Sequence, residues 1–178
     1  MVPDRSPLSQ LFHQVVVQCY GEVGLHDRSV ASYVAGILTE FTSVDCLYRY
    51  RDIHGSPLEV SGMITLSDPI YGTARSFDAE REARKHIGDY ALFHAGMYPE
   101  LMTVGREMNG QKFLQMVQVG KASYHVVSQF NVFEYAAEAP LFGELTENFE
   151  LCVCGLARVR SALESLCVSH PAKALMLM

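Results

Sequence analysis

The sequence has no cluster of basic residues, and its acidic residues outnumber its basic ones. Its 178 residues include 14 Lys and Arg against 20 Asp and Glu, which gives a formal net charge of -6 at pH 7. Nucleic acids are bound mainly through concentrated positive charge, so we expect no nucleic-acid partner. No apolar run reaches the roughly 18 residues that a membrane-spanning helix needs, so we also expect no membrane insertion.

We also expect neither an export signal nor a disulfide framework. The first residues contain neither the apolar core nor the cleavage pattern of a signal peptide. The five cysteines are an odd number without regular spacing, which is typical of reduced thiols packed inside a cytoplasmic protein. They are Cys19, Cys46, Cys152, Cys154 and Cys167. We therefore predict a cytoplasmic location.

The common signatures of covalent catalysis and of cofactor binding are also lacking. There is no Gly-x-Ser-x-Gly nucleophile elbow. The stretch Gly120–Tyr124 contains Lys and Ser but lies within a helical pattern, without the loop glycines of a phosphate cradle. Cys152-x-Cys154 and Cys167-x-x-His170 do not make the four-ligand set of a zinc site. The sequence leaves it uncertain whether the protein is an enzyme.

Short-range signals indicate where several helices begin and end. Ser6 followed by Pro7 is typical of an N-cap and a first helical residue. Ser76 predicts the start of a central helix that runs to about Met97, with a charged first half and an apolar second half. Residues 131–139 are interpreted as a loop.

Apolar periodicity indicates the fold class. The clearest case is the last helix, where the apolar residues recur every three or four positions: Leu145, Phe149, Cys152, Leu156, Val159, Leu163 and Leu166. We find no run of alternating β-strand patterns. The sequence therefore predicts an all-α fold, a single compact domain of six or seven helices over residues 1–178. We expect tails at 1–6 and 171–178 and a long C-terminal helix in the core.

The central helix contains a carboxylate in a strongly apolar stretch. Asp89 is predicted to be buried there, and a buried carboxylate needs hydrogen bonds, a cation or a proton. Gly88 and Gly120 lack side chains where two helices could approach closely. We therefore expect Asp89 at a helix crossing, bonded to a backbone amide, Tyr124 or Lys121.

A second interpretation makes this helix face a functional site. Glu82, His86 and Asp89 are spaced i, i+4 and i+7, so they project from one face and could bind iron or manganese, with Tyr124 and Glu147 opposite them. A di-metal helical site normally repeats a Glu-x-x-His pair on two helices. That repeat is absent, so the main prediction is no metal and no cofactor.

His94 is a further candidate on the same helix. It follows Tyr90 by four residues and His86 by eight, so it could share their face and ligate haem or zinc. A lone histidine on an apolar helix face is more often a core residue with its hydrogen bonds satisfied. We therefore include His94 in the candidate polar cluster but not among the candidate metal ligands.

Several short motifs together resemble a group of uncharacterised bacterial all-helical proteins. The residues His86–Phe93 match H-x-G-D-[YF]-x-L-F, and Gly96–Glu100 match G-x-[YF]-P-E. Gly120, Tyr124 and the stretch Glu144–Phe149 extend the resemblance toward the last helix. The resemblance implies one bacterial cytosolic helical domain. It has no known activity attached and supplies no catalytic residue.

Two functions from different classes follow from these observations. The first is a non-enzymatic protein that acts through protein-protein contacts, as a homodimer or as an accessory or regulatory subunit. A regular helical core without a cofactor motif favours this function. So do the segments Tyr48–Arg51 and Leu175–Met178, which carry large apolar side chains outside the predicted helical core. The alternative is a metal- or haem-dependent enzyme or a small-ligand sensor that uses the Glu82, His86 and Asp89 face.

Overall fold

The structure, a computed structural model, describes residues 6–74, 76–102 and 109–169. In these ranges the chain forms eight α-helices and two 3₁₀ helices, with a single isolated β-bridge and no β-strand. The predicted all-α fold is therefore confirmed, with one or two more helices than expected. None of the helices in these ranges is long and apolar enough to cross a membrane.

The α-helices range in length from 4 to 21 residues. The α-helices are α1 (Pro7–Glu22), α2 (Arg28–Glu40), α3 (Val44–Leu47), α4 (Val60–Ser67), α5 (Phe77–Met97), α6 (Asn109–Gln129), α7 (Ala139–Glu147) and α8 (Phe149–Ser169). The 3₁₀ helices are Pro99–Met102 and Phe133–Ala137. The second of them lies within residues 131–139, which the sequence predicted to be a loop.

Side-chain caps start the long helices where the sequence predicted them. The Ser6 hydroxyl accepts a hydrogen bond from the Ser9 amide at 3.2 Å, and the Ser76 hydroxyl accepts one from the Ala79 amide at 3.1 Å. Each bond satisfies an amide that has no partner within the first turn of a helix. These local signals therefore fix the beginnings of α1 and α5.

The centre of the fold is α5, which packs against α6, α8 and α4 and touches α2. Nearly every residue from His86 to Met97 is buried. A side chain at Gly88 would collide with the Tyr124 ring of α6, and one at Gly120 would collide with the Phe149 ring of α8. The predicted use of Gly88 and Gly120 for close helix approach is confirmed.

The apolar seam of the last helix is divided between two helices. Asn148 separates α7 from α8, and both its backbone amide and its side-chain amide donate to the Glu144 carbonyl, at 2.9 and 3.1 Å. Leu145, Phe149 and Leu156 are nevertheless fully buried. The predicted seam thus lies in the core, but it begins on α7 and continues on α8.

Two other predictions concern the cysteines and the tails. All five cysteines are free thiols. The expected tail at 171–178, which includes Leu175–Met178, lies outside the described residues, as does the start of the chain up to residue 5.

Candidate functional site

Asp89 lies at the junction of three helices. Its carboxylate Oδ1 accepts hydrogen bonds from the Tyr33 hydroxyl of α2 at 2.7 Å and from the Tyr124 hydroxyl of α6 at 2.8 Å. The Lys85 ammonium lies 3.9 Å from Oδ2 and 5.6 Å from the centre of the Tyr33 ring. We call Tyr33, Lys85, Asp89 and Tyr124 the Asp89 cluster. Asp89 is buried beside Tyr124, as predicted.

Burial dominates the electrostatics of the Asp89 cluster. It raises the pKa of Asp89, although the Lys85 charge and the two tyrosine hydrogen bonds act in the opposite direction. Burial and the nearby Asp89 charge raise the pKa values of Tyr33 and Tyr124 well above the usual range. Both tyrosines therefore stay protonated and serve as hydrogen-bond donors to the carboxylate.

Two residues predicted to join this cluster lie elsewhere. Lys121 forms an ion pair with Glu150 at 2.8 Å instead of bonding to Asp89. Glu147 is exposed at the end of α7. Of the alternatives expected for Asp89, the bond from Tyr124 is formed and the bond from Lys121 is not. Tyr33, which the sequence analysis did not consider, supplies the second donor.

The proposed metal ligands have separate surroundings. Glu82 pairs with the neighbouring Arg81 at 3.0 Å. His86 is buried with its ring edge-on to Phe41 and Tyr50. Burial, followed by the positive charges of Arg49 and Lys85, lowers the pKa of His86 to about 4.

In the part of the chain that the structure describes, no three His, Cys, Asp or Glu side chains are arranged to hold a metal ion. The structure therefore does not bring Glu82, His86 and Asp89 together as a ligand set. Iron, manganese or haem binding on this face remains a prediction, which elemental analysis and an absorption spectrum would test.

His94 has local partners on α5. Its Nδ1 lies 2.9 Å from the Tyr90 carbonyl oxygen, and its ring stacks on the Tyr90 ring with centroids 4.0 Å apart. Burial lowers its pKa. His94 is therefore a core histidine, and its Nδ1 has a hydrogen-bond partner within the same helix.

Arg81, near the surface end of α5, is a buried cation that the sequence analysis did not single out. Its guanidinium bonds to Glu138 at 2.7 Å and to Glu82 at 3.0 Å. It also lies 4.1 Å from the centre of the Tyr135 ring, and the Tyr135 hydroxyl donates to Asp78 at 2.7 Å. We call these five residues the Arg81 clamp, because they fix the second 3₁₀ helix against α5.

Beside the Arg81 clamp lies an exposed group of apolar side chains. Phe133 is 88% exposed and Phe77 is 78% exposed, and the Phe77 ring lies edge-on to Phe130 with centroids 6.2 Å apart. We call Phe77, Phe130, Val132 and Phe133 the aromatic patch. It borders a cavity of about 570 Å³ whose remaining lining residues are Asp78, Gln129, Glu134 and Tyr135.

The backbone at Phe133 is unusual. Its φ of 51° makes it the only non-glycine residue with a positive φ in the described part of the chain. A bulky side chain in this region is strained.

The sequence signal that could have revealed the aromatic patch is the density of aromatic residues in the short segment 130–135.

A larger cavity of about 830 Å³ opens between α1, α2, α5 and α8 and is lined mainly by apolar side chains. Arg160 at its edge bonds to Glu100 at 2.7 Å, to Glu164 at 2.9 Å and to the Met97 carbonyl at 2.8 Å. The Arg160 guanidinium therefore already has partners inside the protein.

Comparisons of this chain with protein-family models, with curated proteins and with solved structures found no match.

Proposed function

We propose that this protein is a non-enzymatic, cytoplasmic accessory protein that binds another protein through the aromatic patch. The observation that carries the proposal is Phe133, a large apolar side chain held almost fully exposed at a positive φ. Such a conformation costs on the order of 1 to 3 kcal/mol and persists only where the surrounding structure imposes it. A contact with a partner would give both the strain and the exposure a use.

The Arg81 clamp supports this proposal because it holds the patch in one arrangement. Tyr135 lies two residues after Phe133 and is fixed by the Arg81 guanidinium and by Asp78. A binding surface that is already ordered loses less conformational freedom when a partner binds. The clamp therefore favours tighter binding than a mobile loop with the same side chains would allow.

The Asp89 cluster supports the same proposal because its contacts are those of a structural element. Its carboxylate joins α2, α5 and α6 through Tyr33 and Tyr124. That structural role accounts for the burial of a charged group without assigning it a reaction. Asp89 therefore gives no reason to prefer an enzyme over a binding protein.

The partner is a different protein rather than a second copy of the chain. The chain carries a formal net charge of -6, and Asp78 and Glu134 line the cavity of the patch. Two copies meeting at this surface would bring like charges together, which opposes association. Of the two modes of contact expected from the sequence, this favours the accessory subunit over the homodimer.

A photo-crosslinking amino acid placed at position 133 or 77 in the native cells tests the proposal. Position 53 is the matched control, because Ile53 is a large apolar residue that is 95% exposed in a turn and does not line the cavity of the patch. We expect the same partner adduct from positions 133 and 77 and none from position 53. The partner, identified by mass spectrometry and purified, should bind the wild type but not the Phe133→Ser variant.

Three outcomes would contradict the proposal. Positions 133 and 77 could give no adduct, or position 53 could give the same adduct as they do. The purified partner could also bind the Phe133→Ser variant as well as it binds the wild type. An adduct of twice the mass of the chain would contradict the choice of a different protein.

A further inference from the structure

The aromatic patch combines ring faces with carboxylates around one cavity. We propose that the partner places a Lys or Arg side chain in this cavity, so that its cation meets the aromatic rings and the carboxylates of Asp78 and Glu134. This inference rests on the proposed function and specifies the chemistry of the partner segment.

The ring geometry suits a cation. Phe77 and Phe130 stand at 75° to each other with centroids 6.2 Å apart, and both residues line the cavity. A cation within about 6 Å of a ring centre is attracted by the negative face of the ring. The neighbouring Tyr135 already holds the Arg81 guanidinium at 4.1 Å from its centre.

The charges around the cavity also favour a cation. Every residue that lines it in the described chain is apolar, neutral or acidic. The cation of the Arg81 clamp is Arg81 itself, which is buried and paired with Glu82 and Glu138. With Asp78 and Glu134, which line the cavity, the clamp and the cavity together hold four carboxylates and one guanidinium. The region is therefore locally negative and complementary to a basic segment.

An apolar side chain would fit the cavity less well than Lys or Arg. It would cover the carboxylates of Asp78 and Glu134 without supplying a cation to either, and within the described chain Asp78 has only the Tyr135 hydroxyl as a donor. Removing charged groups from water without a compensating charge is unfavourable. Lys and Arg have an apolar stem that can lie on Val132 and Phe133 while the charged end reaches a carboxylate. The combination of apolar walls and acidic groups thus selects a long cationic side chain.

A display library of random dodecapeptides, selected on the purified protein, tests this inference. We expect the recovered peptides to contain Lys or Arg next to large aliphatic residues. Each is then synthesised with norleucine in place of Lys, or citrulline in place of Arg. The charged peptide should bind roughly tenfold more tightly than its neutral counterpart at low salt, and the ratio should fall as salt rises.

The matched protein variant is Asp78→Asn combined with Glu134→Gln, which keeps the shapes of both side chains. Asn at position 78 can still accept the Tyr135 hydrogen bond. In this variant the preference for the charged peptide should fall to less than about threefold. If circular dichroism shows that the double variant is unfolded, Glu134→Gln alone serves, because Glu134 is exposed and makes no bond in the Arg81 clamp.

The two proposals fail in different ways. Recovered peptides without basic residues, or equal affinity of the charged and neutral versions, would overturn the inference. The proposed function would still stand if those peptides bind the wild type and not the Phe133→Ser variant. If no peptide distinguishes the wild type from Phe133→Ser, the inference fails, and the crosslinking result decides the proposed function separately.

Discussion

The Asp89 cluster and the aromatic patch both include residues of α5, and they reverse the usual placement of residue types. In the cluster a carboxylate is buried and receives bonds from two tyrosines and an ion pair from Lys85. In the patch, Phe77 and Phe133 are exposed. The comparison teaches that the hydrogen bonds of a buried polar residue account for its position, whereas nothing inside the described part of the chain accounts for the exposure of Phe133, which is why we propose an outside partner.

The largest expected effect is on the buried side of this comparison. Replacing Asp89 by Ala leaves the Tyr33 and Tyr124 hydroxyls buried without their acceptor. We expect the free energy of unfolding to fall by about 3 to 5 kcal/mol, since each buried unpaired group costs about 1 to 3 kcal/mol. Asp89→Asn should cost less, about 1 to 3 kcal/mol, because an amide oxygen can still accept. Urea denaturation followed by circular dichroism measures both.

The control for this prediction is Glu147→Gln, an exposed carboxylate whose loss should change stability by less than about 0.5 kcal/mol. If Asp89→Ala is as stable as the wild type, the Asp89 cluster does not hold the three helices together. The contrast between the two regions would then lose its basis.

The second effect is a pH dependence carried by His86, three residues from Asp89. Its pKa is lowered to about 4 in the folded protein from an ordinary value of 6.5. Its contribution to stability is therefore fully present above pH 6.5 and is lost as the pH falls toward 4. The total loss is about 3 kcal/mol. Denaturation curves at pH 7 and pH 4 measure it, and His86→Gln should reduce the difference.

Asp89 should act in the opposite direction. Its folded-state pKa is raised by burial, so its contribution to stability is fully present below the ordinary Asp pKa and declines as the pH rises through the raised value. Comparing the pH dependence of Asp89→Asn and His86→Gln separates the two groups. Identical pH profiles for the two variants would show that neither assignment is correct.

A third, smaller effect concerns the link between the two regions. Arg81→Gln removes a buried cation that bonds to Glu82 and Glu138. Because both carboxylates are partly exposed and can be solvated, we expect a loss of about 1 to 3 kcal/mol. Partner or peptide binding should weaken as well, although Arg81 does not line the cavity. Unchanged binding by a destabilised Arg81→Gln would show that the clamp does not order the patch.

The smallest effect is a difference in stability between two variants at position 133 of the patch. Asn tolerates a positive φ better than Phe or Ala does. We therefore expect Phe133→Asn to be more stable than Phe133→Ala by roughly 0.5 to 1 kcal/mol, while both bind the partner poorly. Thermal melts of the two variants give the comparison. Equal stability would mean that the backbone at Phe133 is not strained in solution.

Sequence reasoning predicted the features that depend on nearby residues. The caps at Ser6 and Ser76 act within one helical turn, so helix starts could be located from short motifs. Gly88 and Gly120 indicated a close crossing, because a glycine in an apolar helix is costly unless helices must approach there. The burial of Asp89 followed from the apolar residues around it.

Features that depend on distant residues were not predictable in the same way. Tyr33 is 56 positions from Asp89, and Glu138 is 57 positions from Arg81. No spacing rule connects such pairs, since only the packing of the helices brings them together. The positive φ of Phe133 likewise has no signal in its residue type, because Phe disfavours that conformation.

Because α5 contributes residues to both regions, they are linked by one continuous helix. This has a consequence for which parts of the protein unfold locally. Asp78 and Asp89 are 11 residues apart on one helix, roughly 16 Å along its axis. The amides around Ala91 and Leu92 are surrounded by fully buried side chains, so their deuterium uptake should require unfolding of the whole domain. The segment Phe133–Ala137 contains no buried residue, so its amides should take up deuterium before those of α5 do. Partner binding would then slow exchange in that segment while leaving the slowest amides of α5 unchanged.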